Sequence, residues 1–117
     1  MKTRLLRKLR NRANREVLID SICIFGKEMY EIRIYDSRGE KQNRRYNKKD
    51  GFDFHIGLYD GTYIMMYTVP NLEEAKQMLK RARCIYIIEL IHNMKEEIRY
   101  KERMANEEKK REYLHQF

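Results

Sequence analysis

The chain has 117 residues, 38% of them charged, with 26 Lys and Arg against 18 Asp and Glu and a net charge of +8. That length sets one domain with a modest core. It contains no run of about 18 apolar residues to cross a membrane, and its basic start lacks the apolar stretch of a secretory signal. Two cysteines, Cys23 and Cys84, lie in apolar patterns and read as buried free thiols of a reducing compartment, which makes the cytoplasm the expected location.

Residues 1–16 read as a short basic helix. Leu5, Leu6, Leu9 and Ala13 form a narrow apolar edge, and Lys2, Arg4, Arg7, Lys8, Arg10, Arg12 and Arg15 fill most of the rest. So short a helix is marginal alone in water, so its leucines must dock on something. Two strands follow, 17–25 and 28–36, with Gly26-Lys27 as a two-residue turn of the Gly-first type. Pairing across that turn places Val17, Ile19, Cys23, Phe25, Tyr30, Ile32 and Ile34 on the core face. Leu18, Ile22, Ile24, Met29 and Tyr35 fall on the other face with Asp20, Glu31 and Arg33. Residues 37–50 read as a polar, basic connection around Gly39. Strands 52–59 and 62–69 flank Asp60-Gly61, a type I′ hairpin signal. Phe52, Phe54 and Tyr67 then face inward, and His55, Ile64 and Met66 outward.

From Asn71 to about Tyr113 the pattern is one long helix. Asn71 caps it, Glu74 stands three positions on, and Glu73 and Glu74 sit where the helix dipole favours negative charge. Ala75, Met78, Leu79, Ala82, Ile85 and Tyr86 make an apolar stripe. Cys84 to Ile88, with Leu90 and Ile91, widen it to most of the circumference, so this stretch should be buried on more than one side. Leu79, Ile85, Ile88, Phe54, Ile32 and Tyr67 are expected among the most buried residues. After Ile98 the helix is mostly balanced charge, with Tyr100, Met104, Tyr113, Leu114 and Phe117 as the apolar exceptions.

The expected fold class is therefore α+β: a short N-terminal basic helix (1–16), a four-stranded antiparallel meander (17–69) and a long C-terminal helix (71–113) packed on the sheet, within a single domain, 1–117.

Charge is concentrated. Residues 1–16 carry seven basic groups and one acid, and residues 38–50 carry six basic groups and two acids. Converging in space, they would form a patch able to neutralise phosphates. Tyr46, flanked by Arg44-Arg45 and Lys48-Lys49, is placed to stack on a base. The expected contact set for nucleic acid or an acidic surface is Arg4, Arg7, Lys8, Arg44, Arg45, Tyr46, Lys48 and Lys49. The expected protein interface uses Ile22, Ile24, Tyr35, Ile64, Met66, Ile87, Tyr113 and Phe117, because the outer sheet face is too apolar for water.

No catalytic set emerges. His55, His92 and His115 have no metal-ligand spacing with each other or with the cysteines. Asp20, Glu31 and Asp53 show no pairing pattern for acid–base work. Glycines are too few and scattered for a phosphate loop. The expectation is a protein without enzyme activity, metal, cofactor or small-molecule substrate.

Three likenesses bear on function. The helix–strands–helix order with a basic surface is similar to double-stranded-RNA-binding domains, although Asn71-Leu72-Glu73-Glu74 is acidic where those domains carry their basic cluster. The junction Tyr67-Thr68-Val69-Pro70-Asn71-Leu72-Glu73-Glu74-Ala75 resembles the end of the small DNA-binding domains at the front of phage integrases. The opening Lys2-Thr3-Arg4-Leu5-Leu6-Arg7-Lys8-Leu9-Arg10 resembles the start of small basic accessory and virion proteins of tailed bacteriophages of gut bacteria, crAss-like phages among them.

The last resemblance implies an accessory structural protein within a virus particle. The leading expectation is thus a non-enzymatic assembly protein bound to other protein subunits, in a homo- or hetero-oligomer, with nucleic acid as a further partner and no membrane. The alternatives are a free nucleic-acid-binding module and a homodimeric partner-binding regulator built on residues 84–98.

Overall fold

The computed structural model describes residues 2–47, 51–54 and 68–116. The order is helix, antiparallel sheet, long helix, the α+β arrangement expected. Helix α1 (Thr3–Glu16) runs directly into β1 (Val17–Ile24). Strands β2 (Lys27–Tyr35), β3 (Lys41–Asn47) and β4 (Gly51–Phe54) follow as antiparallel neighbours, and β5 (Thr68–Val69) pairs with β2. Helix α2 spans Leu72–His115. The chain forms two compact units, Met1–Ile87 and Ile88–Phe117.

The β1–β2 hairpin turns on Phe25-Gly26, one residue earlier than the Gly26-Lys27 expected. Both residues have positive φ, 50° and 78°, as a type I′ turn requires. Ile24 pairs with Lys27, Ile19 with Ile32 and Val17 with Ile34. Relative to the expected pairing this is a slide of two residues, which leaves every side chain on its assigned face. Val17, Ile32 and Ile34 are fully buried as expected. Phe25 is corrected from the core to the hairpin tip, where it is 87% exposed. Cys23 and Cys84 are also corrected: both are exposed free thiols.

The larger correction is β3. Residues 41–47 are a strand and not a connection, because the loop before them is only five residues long and is locked. The Asp36 carboxylate accepts the N–H groups of Arg38 (2.8 Å) and Glu40 (2.9 Å), Asp36 N–H donates to the Glu40 carbonyl (2.8 Å), and Gly39 takes φ 80°. The chain therefore reverses and lies along β2. Between Tyr35↔Lys41 and Arg33↔Arg45 three residues of β3 oppose Ile34 alone, a bulge. Tyr46 pairs with Phe52 of β4. The described part of the expected fourth strand, β5, pairs with β2 through Tyr30↔Val69. The Asp60-Gly61 turn, His55, Ile64, Met66 and Tyr67 lie outside the described residues, as do the side chains of Asp53 and Phe54.

Helix α2 begins at the expected cap: the Asn71 carboxamide oxygen accepts the Glu73 N–H at 2.8 Å. Within the first unit its buried stripe is Ala75, Met78, Ala82 and Tyr86. The two alanines have no exposed surface. Tyr86 meets Phe52 edge-on at 6.0 Å, and Phe52 meets Tyr46 edge-on at 5.5 Å, so an aromatic row joins helix to sheet. Leu79 and Ile85 are half-buried. Ile88 is corrected outright: it is 64% exposed. It follows Tyr86 by two residues, about 200° around the helix, and so points away from the buried stripe.

Candidate functional site

Helix α1 is amphipathic. Leu9, Ala13 and Glu16 are buried, and Leu5 and Leu6 half-buried. Its C-terminal end is tied to α2. Tyr86 Oη donates to Glu16 Oε1 at 2.8 Å, and Arg12 Nε reaches Glu16 Oε1 and Oε2 at 3.1 and 2.8 Å. Burial, and then the bond to Glu16, pushes the Tyr86 phenol up to about 12, and the same carboxylate raises Arg12. Arg83 donates to the Val17 carbonyl (3.1 Å) and the Asn14 carbonyl (3.3 Å), satisfying acceptors that the end of a helix leaves open. Burial lowers the pKa of that guanidinium.

The opposite side of α1 is solvent. Arg4, Lys8, Asn11 and Arg15 recur at intervals of four, three and four residues and form one row facing away from Leu9 and Ala13. Arg7, Arg10 and Asn14 flank that row, and all seven are exposed. Arg4, Arg7, Lys8, Arg10 and Arg15 make no hydrogen bond or ion pair to any described residue. The first turn contains no acid, and Lys2 at the cap position offers no side-chain bond. Cations thus crowd the end of the helix that is already positive.

The expected second half of the patch behaves differently. Tyr46 has no exposed surface and packs on Phe52, so it is a core residue and not a stacking platform. Arg44 is half-buried with its guanidinium over the Phe52 ring at 5.5 Å. Lys48 and Lys49 and the side chain of Arg45 lie outside the described residues. Of the eight expected contact residues, the structure brings Arg4, Arg7 and Lys8 together on one exposed face.

The outer sheet face carries a feature that the sequence reading missed. Asp20 and Glu31 are direct cross-strand partners. Lys41 Nζ lies 2.8 Å from Asp20 Oδ2 and 3.7 Å from Glu31 Oε1. Arg33 Nη1 lies 3.4 Å from Glu31 Oε1, and Nη2 donates to the Gln42 carbonyl at 2.7 Å. Tyr35 donates to Asp20, and burial, followed by that bond, pushes its phenol up to about 12. Every charge in the cluster meets an opposite charge, so it works as a clamp across β1, β2 and β3. The signal was present as parity: once Ile24 pairs with Lys27, Asp20 must oppose Glu31.

Of the expected interface residues, Ile22, Ile24 and Ile87 are half-buried and Tyr35 is held in the clamp. Tyr113 is exposed, and Ile64, Met66 and Phe117 lie outside the described residues. In the second unit Leu90 is the one buried side chain among the described residues, and everything from residue 92 to 116 is exposed. No group of three or more His, Cys, Asp or Glu among the described residues could hold a metal ion, and no helix there is long and apolar enough to cross a membrane. No protein-family model, curated protein or solved structure matches this chain.

Proposed function

We propose that this is a non-enzymatic assembly protein whose α2 segment beyond Ile88 docks on neighbouring subunits, copies of the same chain among them. The supporting observation is the second unit itself. Ile88, Met94, Ile98, Tyr100, Met104, Tyr113 and Leu114 are all exposed on a stretch of α2 whose one buried side chain among the described residues is Leu90. Its internal support includes the Glu96–Arg99 (2.9 Å) and Glu97–Lys101 (3.2 Å) pairs, which add about 0.2–0.5 kcal/mol each, and Arg103 over the Tyr100 ring at 5.8 Å. Helix residues at that exposure gain stability chiefly from a partner that covers them. Ile91, Met94 and Ile98 recur at three and four residues, the spacing at which one helix seats against another. The resemblance of the opening residues to small basic phage proteins makes a phage particle the assembly we propose.

The test is sedimentation of the purified chain. A species heavier than the 14.5 kDa monomer is expected. It should revert to monomer in Met94→Asp/Ile98→Asp, with its helical circular dichroism retained. A monomer at the highest soluble concentration overturns self-docking.

A further inference from the structure

We propose that the solvent face of α1 binds the phosphate backbone of duplex DNA, a second surface independent of the docking helix. Five cations, Arg4, Arg7, Lys8, Arg10 and Arg15, lie within four turns of one helix and have no partner among the described residues. The one acid of the segment, Glu16, is buried and already engaged by Arg12 and Tyr86. Such an array repels itself, and Arg4 stands in the first turn at the positive helix end, so it gains most from a polyanion that releases its own counterions on binding.

The chemistry of the face selects the polyanion. Four of the five cations are arginine, whose planar fork matches phosphate oxygens two at a time. Asn11 and Asn14 stand among them, exposed, with amide groups that hydrogen-bond to phosphates or base edges. The apolar edge of the helix faces its own core through Leu9 and Ala13, so it is not free to enter a lipid surface as an amphipathic membrane helix does. From Arg4 to Arg15 the row spans about 16 Å at 1.5 Å per residue, close to the rise of five phosphates along one strand. The helix is also fixed beforehand by Arg83 and the Glu16 lock, so binding need not order it.

The experiment is fluorescence anisotropy of a labelled duplex titrated with the full chain at several salt concentrations. Five phosphate contacts give a log–log salt slope of about −4.5, or roughly 500-fold weaker binding at 200 mM salt than at 50 mM. The variant Arg4→Ala/Lys8→Ala/Arg15→Ala should flatten that slope by about 2.7. Those side chains are exposed and pair with no described residue, and circular dichroism should show an unchanged fold. The variant Arg38→Ala/Lys80→Ala/Arg81→Ala removes the same charge from other exposed positions and should keep the slope. Equal losses in the two variants, or no binding at 50 mM salt, overturn the proposal. Anionic lipid vesicles and a single strand of equal length serve as competitors, and a preference for either over the duplex also overturns it.

Discussion

Replacing Tyr86 by Phe tests the joint on which the first unit turns. The change keeps the ring, and therefore its edge-on contact with Phe52, and removes only the hydroxyl that donates to Glu16 at 2.8 Å. Both residues are 5% exposed, so water cannot readily replace the lost bond. A hydrogen bond to a charged group contributes about 1.5–3 kcal/mol. Arg12 still holds both carboxylate oxygens, so the expected loss is at the lower end, about 1.5 kcal/mol. Its pH dependence follows from the phenol. Tyr86 titrates near 12 in the folded protein against 10.0 unperturbed, so the folded state keeps its proton where the unfolded state loses it. That stabilisation is complete below pH 10 and disappears as pH rises through about 12. Urea unfolding should therefore show wild type ahead of Tyr86→Phe at pH 8, with the gap narrowing above pH 10. Tyr35 is raised in the same way, so the variant retains part of the alkaline sensitivity. A difference below about 0.5 kcal/mol at pH 8, or one that does not narrow above pH 10, would refute the lock.

Ile88→Ala should cost less than about 0.5 kcal/mol in the same assay, as an exposed change does, while Ala82→Leu should cost about 1–3 kcal/mol by overpacking. A reversed order would mean that the buried face of α2 had been misassigned. Cys23 and Cys84 should both react with a thiol reagent in the native protein at rates close to those in denaturant, and protection of either contradicts its exposure. Gly39→Ala should cost about 1 kcal/mol through its positive φ alone, since a Cβ there meets nothing within 4 Å. A neutral result in urea unfolding would show that the 36–40 turn tolerates a different backbone.

The outline of the fold was legible because its strongest signals are local. Alternation in β2 put Ile32 and Ile34 on the core face, and a two-residue slide of the turn could not disturb that, since strand faces repeat every two residues, although Glu31 and Arg33 on the other face are buried as well. Asn71 marked the start of α2 for the same local reason. What failed depended on partners distant in sequence. Lys41 to Asn47 has the composition of a loop, and it becomes a strand because the Asp36 turn delivers it to an open edge of β2. Ile88 was misassigned because Cys84 to Ile88 is apolar at every position. A run without polar punctuation carries no phase, and here the phase is set by Ala75, Ala82 and Tyr86.

The charge map shows the same division at the level of function. In the sequence, the basic groups of 1–16 and of 38–50 look alike. Folding separates them by what each meets. Lys41 is drawn into a clamp with Asp20 and Glu31, Arg44 lies over Phe52, and Tyr46 becomes core. Cations that cross-link a sheet have their Coulomb energy already committed, and an external phosphate would have to displace a carboxylate to use them. On α1 the sorting runs the other way. Arg12, one turn before Glu16, takes that carboxylate, and Arg4, Lys8 and Arg15 are left in the solvent-facing row with Asn11. No count of charges distinguishes Arg12 from Arg15, which differ by three positions. The distinction comes from the helix having one side pressed against Tyr86 and the other side open.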